Sequence, residues 1–225
     1  MRRRAGLPAL GVAIVMGLAL AAPAMAAPAN IQAGQAPSND VFNPSDYLHD
    51  GGTVATATWV AGGSHDVTAR GIGPDGKPLF QSALVSSSSA PVKGTQYLAQ
   101  GTYAFYCTVH PLTMSGNLNV NTGSPLARPS VALAGVKGTK LAKVVKKGKV
   151  PVKVTVANGG QATVAVLLGK KKVGSVTAPV TKSGTVQVPL TAKGKSALAK
   201  KTKATLKVTA AVEFGSPATF KLALK

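Results

Sequence analysis

The sequence predicts an all-β protein built from two successive β-sandwiches. Three observations carry that expectation. Short apolar/polar alternations recur along the chain, separated by Gly, Pro, Ser and Asn clusters, which is the period-two signature of half-buried strands. Aromatic residues are unevenly placed: of ten, eight fall before residue 124 and two after it. Charge is as uneven, with a net −2 over residues 27–124 and a net +19 over residues 125–225. Two modules with different surfaces follow from that asymmetry.

The 225 residues suit one or two domains at about 150 residues each. The composition excludes a collagen, a coiled coil and an acidic disordered tail. A single Cys excludes an internal disulfide framework and any Cys-rich zinc site. Three His leave room for one small metal site.

Residues 1–26 have the layout of a secretory signal peptide. Arg2, Arg3 and Arg4 form a positive start, Leu7 to Ala22 are apolar, and Ala24-Met25-Ala26 offers small residues for cleavage near Ala26. The strongly apolar core, Leu10 to Ala22, is 13 residues, short of the roughly 20 that a spanning helix needs. The protein is therefore expected to be exported, and to work extracellularly, in a periplasm or on the cell envelope.

The first module is expected over residues 27–122. Ala55, Ala57 and Trp59 share one face of a strand, and Tyr103, Phe105 and Cys107 share another. Turn clusters at Gly51-Gly52, Gly62-Gly63-Ser64, Pro74-Asp75-Gly76 and Ser86 to Ser89 separate the runs. Residues 123–130, with two Pro beside Gly and Ser, read as a stiff, exposed linker.

The second module is expected over residues 131–225. Val150, Val152, Val154 and Val156 alternate with polar positions. The pattern repeats at Val164, Val166 and Leu168, at Val186, Val188 and Leu190, at Leu206, Val208, Ala210 and Val212, and at Phe220, Leu222 and Leu224. Gly169 to Gly174 reads as a hairpin tip, and Gly194 to Lys201 as one short helical turn. Regularly spaced short strands of this kind indicate a second sandwich. The module holds no His, Cys, Met or Trp, and no catalytic constellation is visible in it.

Chemistry concentrates between residues 106 and 116. After signal removal the chain keeps one Cys and one Met, Cys107 and Met114, and His110 lies between them in Tyr106-Cys-Thr-Val-His-Pro-Leu-Thr-Met-Ser-Gly116. A soft thiolate, two imidazoles and a weak axial thioether make the trigonal site that suits both Cu(I) and Cu(II). Cys107 would end a strand, and the next loop would return His110 and Met114 to the same point. The second imidazole is expected from His65, in Gly-Gly-Ser-His65-Asp-Val. His49 is expected at the surface, away from the metal. A Cys/His hydrolase would need a nucleophile beside a base in a cleft; two residues of separation at a strand-to-loop corner suit shared metal ligation better. Ligation also caps a thiol that would otherwise stand unpaired in an oxidising compartment.

These residues resemble a cupredoxin of the plastocyanin, pseudoazurin and amicyanin group. The matched motifs run in family order: Phe42-x-Pro44, Gly52-Thr-Val54, Trp59-Val60, His65-Asp-Val67, Phe80-x-Ser82, Gly101-Thr-Tyr-x-Phe-Tyr-Cys107-x-x-His110-Pro111, and Met114-x-Gly116. The resemblance covers nearly the whole first module. It implies a Greek-key β-sandwich holding one type 1 copper ion through His65, Cys107, His110 and Met114, and a role in one-electron transfer rather than as an enzyme. Three residues separate His110 from Met114, where relatives more often have two or four. The family usually carries an Asn a few residues before the first His to tie the ligand loops together; Val60-Ala61-Gly62 stands there instead. The hydrogen bonding around the metal is accordingly expected to differ.

The second module is loosely similar to Lys-rich immunoglobulin-like domains of bacterial envelope proteins. Its clusters Lys146-Lys147-Gly-Lys149, Lys170-Lys171-Lys172 and Lys200-Lys201-Thr-Lys203 suit electrostatic attachment to an anionic cell-wall polymer or membrane surface. A solvated face with lysines guarding strand edges is the plainer alternative. Nucleic acid is not expected, since aromatics for base stacking are nearly absent. The sequence thus predicts an exported blue copper carrier working with a redox partner protein. Its competitors are a copper capture or delivery protein and a structural envelope protein with a vestigial site.

Overall fold

A computed structural model describes residues 27–34, 40–158 and 160–225. The signal peptide expected over residues 1–26 lies outside the described residues. The described chain is all-β apart from two short α-helices and a 3-10 turn at Thr95–Tyr97.

Seven strands precede residue 124: β1 (Asn30–Ala33), β2 (Asp46–Gly51), β3 (Ala55–Trp59), β4 (Thr68–Ala69), β5 (Ser89–Val92), β6 (Gly101–Tyr106) and β7 (Ser115–Gly123). They form two sheets, ordered β1-β3-β5 and β2-β7-β6-β4. Strands β1 to β6 alternate between the two sheets along the chain, so each connection crosses the sandwich. β1 runs parallel to β3 and β2 parallel to β7, a pairing that only such crossovers allow. Ile31, Ala57, Phe80, Phe105 and Leu118 meet in one buried cluster between the sheets. Phe105 is its centre, with ring centroids 4.9 Å from Phe42 and 6.5 Å from Phe80. That packing locks the end of β6 that leads into Cys107.

The rest of the chain comprises β8 (Ser130–Gly135), α1 (Leu141–Lys147), β9 (Lys149–Ala157), β10 (Gln161–Leu168), β11 (Lys171–Pro179), β12 (Ser183–Pro189), α2 (Ala192–Ala199), β13 (Ala204–Val212) and β14 (Ala218–Leu224). Two antiparallel sheets result, β12-β9-β8 and β11-β10-β13-β14. Alternation along β9 buries Val150, Val152, Val154 and Val156 and leaves Lys149, Lys153 and Thr155 exposed. Register then sets Val152 opposite Val186 and Val154 opposite Leu133, so the valine face is continuous across three strands.

Helical structure departs from the sequence expectation. The turn expected over Gly194 to Lys201 is the helix α2, which starts two residues earlier because Thr191 caps it, its side chain accepting from the Gly194 N–H at 3.0 Å. α1 was not expected at all. Its signal is Leu141 and Val144, buried one turn apart, with Gly148 ending the helix in the left-handed conformation.

Contacts between the two sandwiches gather at one end of the first. Phe214, buried between β13 and β14, lies 5.9 Å from the ring of Tyr97, and its N–H donates to Asp75 Oδ2 at 3.0 Å. Arg128 lies over Tyr97 at 5.7 Å, and Leu126 donates its N–H to Gln96 O at 2.8 Å. The exposed segment between β7 and β8 is thus pinned along its length. Tyr97 precedes the start of β6 and Cys107 follows its end, and a six-residue strand separates them by ~20 Å.

Candidate metal centre

Cys107 is fully buried one residue beyond β6. The loop after it folds back through two backbone hydrogen bonds, Cys107 N–H to Met114 O and Met114 N–H to His110 O, both at 3.0 Å. This closure sets His110 over the cysteine, with Sγ to Nδ1 at 3.7 Å. It also buries Met114 in the same apolar cluster as Cys107. Gly116 lets β7 begin at once, because a Cβ there would lie 2.4 Å from Ser45 O and 2.8 Å from the Phe105 ring.

His65 comes from the opposite side. It pairs with Val85 in an isolated antiparallel bridge, each N–H donating to the other's carbonyl at 2.8 Å. Its Nε2 lies 3.2 Å from Ala61 O, so the proton sits on Nε2 and Nδ1 keeps a bare lone pair. Ala61 is held in turn by its neighbours. The Trp59 indole donates to Gly63 O at 2.9 Å. Gly34, at φ 87°, lies so close that a Cβ would meet Ala61 O at 1.7 Å, which makes glycine obligatory there.

The rings of His65 and His110 are 5.1 Å apart between centroids. One ligand atom each from His65, Cys107 and His110 lies within 4.8 Å of the others, so these three residues could hold a metal ion. His65 Nδ1 is buried and has no hydrogen-bond partner. Leaving a buried acceptor unpaired costs ~1–3 kcal/mol, and a bound cation would remove that cost. Burial pushes the Cys107 thiol above its ordinary pKa, opposed by backbone N–H groups around it. A reactive nucleophile needs the opposite shift; a metal ligand can be deprotonated by the metal itself.

Two acidic residues organise the site, and the sequence reading assigned neither a role. Asp66 follows His65 and is buried. Its carboxylate accepts from Thr108 N–H at 2.6 Å, Thr108 Oγ1 at 2.7 Å and Thr68 Oγ1 at 3.2 Å. The loop tie that seemed to lack a residue near Val60-Ala61-Gly62 is made here instead. Asp40 lies with its Oδ1 3.3 Å from His110 Nε2, on the outer edge of the ring. Adjacency of Asp66 to a ligand and of Thr108 to Cys107 was a visible signal for the first; nothing in the sequence marks the second.

His49 requires a correction. It is only 2% exposed, not a surface residue. Strict alternation along β2 puts it on the inward face with Tyr47. Its Nδ1 accepts from Ala29 N–H at 3.1 Å, and it lies outside the cluster around Cys107. Burial pushes its imidazole below the usual range, offset in part by backbone groups of Thr53 and Thr95 and by the charge of Asp50.

No family model matches the chain, and no curated protein matches it significantly. Several solved structures are similar to it over part of its length. Plastocyanin from Dryopteris crassirhizoma is 25% identical, over 41% of this chain and 99% of that one, with a TM-score of 0.34. Auracyanin A, a "blue" copper protein from the green thermophilic photosynthetic bacterium Chloroflexus aurantiacus, is 20% identical over 42% and 100%, with a TM-score of 0.33. A reduced mutant of amicyanin is 19% identical over 41% and 80%, with a TM-score of 0.32. Plastocyanin and amicyanin are among the proteins whose motifs the sequence resembles.

Proposed function

We propose that this chain is a type 1 copper protein that carries single electrons outside the cytoplasm. The observation that carries this reading is the bare Nδ1 of His65, buried and unpartnered, on a ring that brings a ligand atom within 4.8 Å of those of Cys107 and His110. His65, Cys107 and His110 would hold the ion, and Met114 would supply a weaker thioether ligand. Copper supplies the exchange of one electron between Cu(I) and Cu(II) when bound.

The protein's own residues do the rest. Phe105 and the closed 107–114 loop hold Cys107 in place and exclude water from its sulfur. Asp66 fixes the distance between the two loops. Asp40 and Ala61 O each engage the outer nitrogen of a histidine, which leaves both Nδ1 atoms facing inward. His110, the most exposed of the three, is the natural side for a redox partner protein to approach. Complete burial of Cys107 and His65 leaves His110 as the one part-exposed member of the three, which favours a carrier over a delivery protein, because handing copper on by stepwise ligand exchange needs more than one accessible ligand.

Export follows from the expected signal peptide, and no helix among the described residues is long and apolar enough to cross a membrane. The second sandwich would attach the protein to an anionic surface of the envelope. Residues 125–225 hold 20 basic side chains and one acidic one.

Copper addition to the purified chain from residue 27 onward tests the site. An intense blue thiolate-to-copper absorption and reversible voltammetry are expected. Cys107→Ser should abolish the colour, while Met114→Leu should keep it and shift the potential. A blue Cys107→Ser protein would overturn the assignment; colourless binding would favour capture, and no binding a vestigial site.

A further inference from the structure

Lysines of the second sandwich converge on a crevice between α1 and the β12-β9-β8 sheet. Its volume is about 220 Å³, and Lys137, Lys143, Lys147 and Lys149 line it together with Thr185 and Gln187. No carboxylate lines it. Glu213, the one acidic residue after position 124, borders a different cavity beside Phe214. Among the described residues no lysine is ion-paired; the pair of His110 and Asp40 is the one such contact. Four lysines therefore line one concave surface with no carboxylate among its lining residues, which focuses a positive potential there.

The local sequence accepts a cost to build this. Lys143 and Lys147 stand one turn apart on a seven-residue helix, a like-charge spacing that opposes helix formation. α1 also has no side-chain N-cap and no acidic residue in its first turn. It is held by burial of Leu141 and Val144, by the Gly148 C-cap and by Lys146 and Lys147 beside the carbonyls of its last turn. Gly148, at φ 64°, then turns the chain so that Lys149 begins β9 on the rim of the same crevice.

We propose that this crevice binds the phosphate groups of a linear phosphodiester polymer, an inference that rests on the anionic-attachment reading above. The crevice is smaller than the roughly 300–1,000 Å³ of sites that enclose drug-sized ligands, and suits a small anionic group. It has no guanidinium: Arg128, the only Arg after residue 124, is at Tyr97. An anion there is held by ammonium point charges, as at lysine-built phosphate sites, rather than by a planar bidentate fork. A lipid surface is the weaker occupant. Every large exposed hydrophobic residue lies at or before Leu126, among the described residues, so this sandwich offers no apolar side chain for insertion.

The experiment compares two charge-matched triple variants of the full mature chain, K137Q/K143Q/K147Q and K170Q/K171Q/K172Q. Binding to synthetic poly(glycerol phosphate) is measured at about 0.1 M ionic strength, where screening shortens reach to about 10 Å. The crevice variant should lose about tenfold more affinity than the hairpin variant, with no fall in unfolding temperature in either. Amide chemical shifts of the unmodified chain should move at residues 137–149. Equal losses in the two variants would overturn the crevice while leaving anionic attachment standing. Absent binding of the unmodified chain at that ionic strength would overturn both. Tighter binding to polyglutamate would overturn the phosphate assignment, and tighter binding to phosphatidylglycerol vesicles would overturn the polymer as the occupant.

Discussion

Asp66 and Thr108 bind together the two segments that carry the candidate ligands: one carboxylate takes both the backbone N–H and the hydroxyl of Thr108, at 2.6 and 2.7 Å. Each residue directly follows a proposed ligand, His65 and Cys107, so a side-chain contact joins the β4-β6 ladder in setting the spacing of the candidate ligand atoms.

Asp66→Ala should therefore damage the site and the fold together. It removes hydrogen bonds to a buried charge and leaves Thr108 N–H unpaired, a loss of about 3 kcal/mol. Copper affinity should drop about 10–100-fold, as when other groups that orient ligands are removed. Asp66→Asn keeps an acceptor for Thr108 and should lose less of both. Thermal unfolding and competition with a chelator check the pair; unchanged affinity in Asp66→Ala would show that the tie does not set the site.

Asp40 stands outside His110 and adds a negative charge where oxidation would add a positive one. Asp40→Asn should raise the reduction potential and lower Cu(II) affinity about tenfold, with the blue colour kept. Voltammetry of the two proteins decides it. A potential that stays put would mean that the carboxylate, 3.3 Å from Nε2, is screened from the metal.

His49 makes the fold acid-sensitive. Its folded pKa lies below the ordinary 6.5 because burial disfavours the charged ring. Above 6.5 both folded and unfolded chains are neutral there, and stability is fully present. As the pH falls below 6.5 the unfolded chain takes up a proton that the folded chain refuses, so stability declines until the folded pKa is reached. His49→Gln keeps an acceptor for Ala29 and removes the titration. Its unfolding temperature should fall less steeply between neutral and mildly acid pH than that of the unmodified chain.

Phe214 couples the sandwiches. Its ring is 5% exposed and meets Tyr97 of the first sandwich, while its N–H holds Asp75. Phe214→Ala should separate unfolding into two calorimetric transitions and shift the lower one down by several degrees, since burying such a ring is worth about 3 kcal/mol. A single unshifted transition would show that the sandwiches are not coupled through this ring.

The sequence by itself determined the strands and the chemistry of the site. Period-two alternation marks β9 and β13, because burying one face of a sheet forces that spacing. The only Cys, and the only Met after residue 26, beside His110 marked the candidate ligand loop, because soft sulfur and imidazole donors suit a copper ion. What tertiary structure alone decided is which partners these groups meet. The contacts of Asp40 with His110, Phe214 with Tyr97, and the four crevice lysines join residues distant in sequence or on separate elements. No local pattern encodes such meetings, since they depend on how the strands and helices pack in space. Burial of His49 lies between the two cases: the alternation of β2 marked its face, but only the packing around Ala29 shows that the face is closed to water.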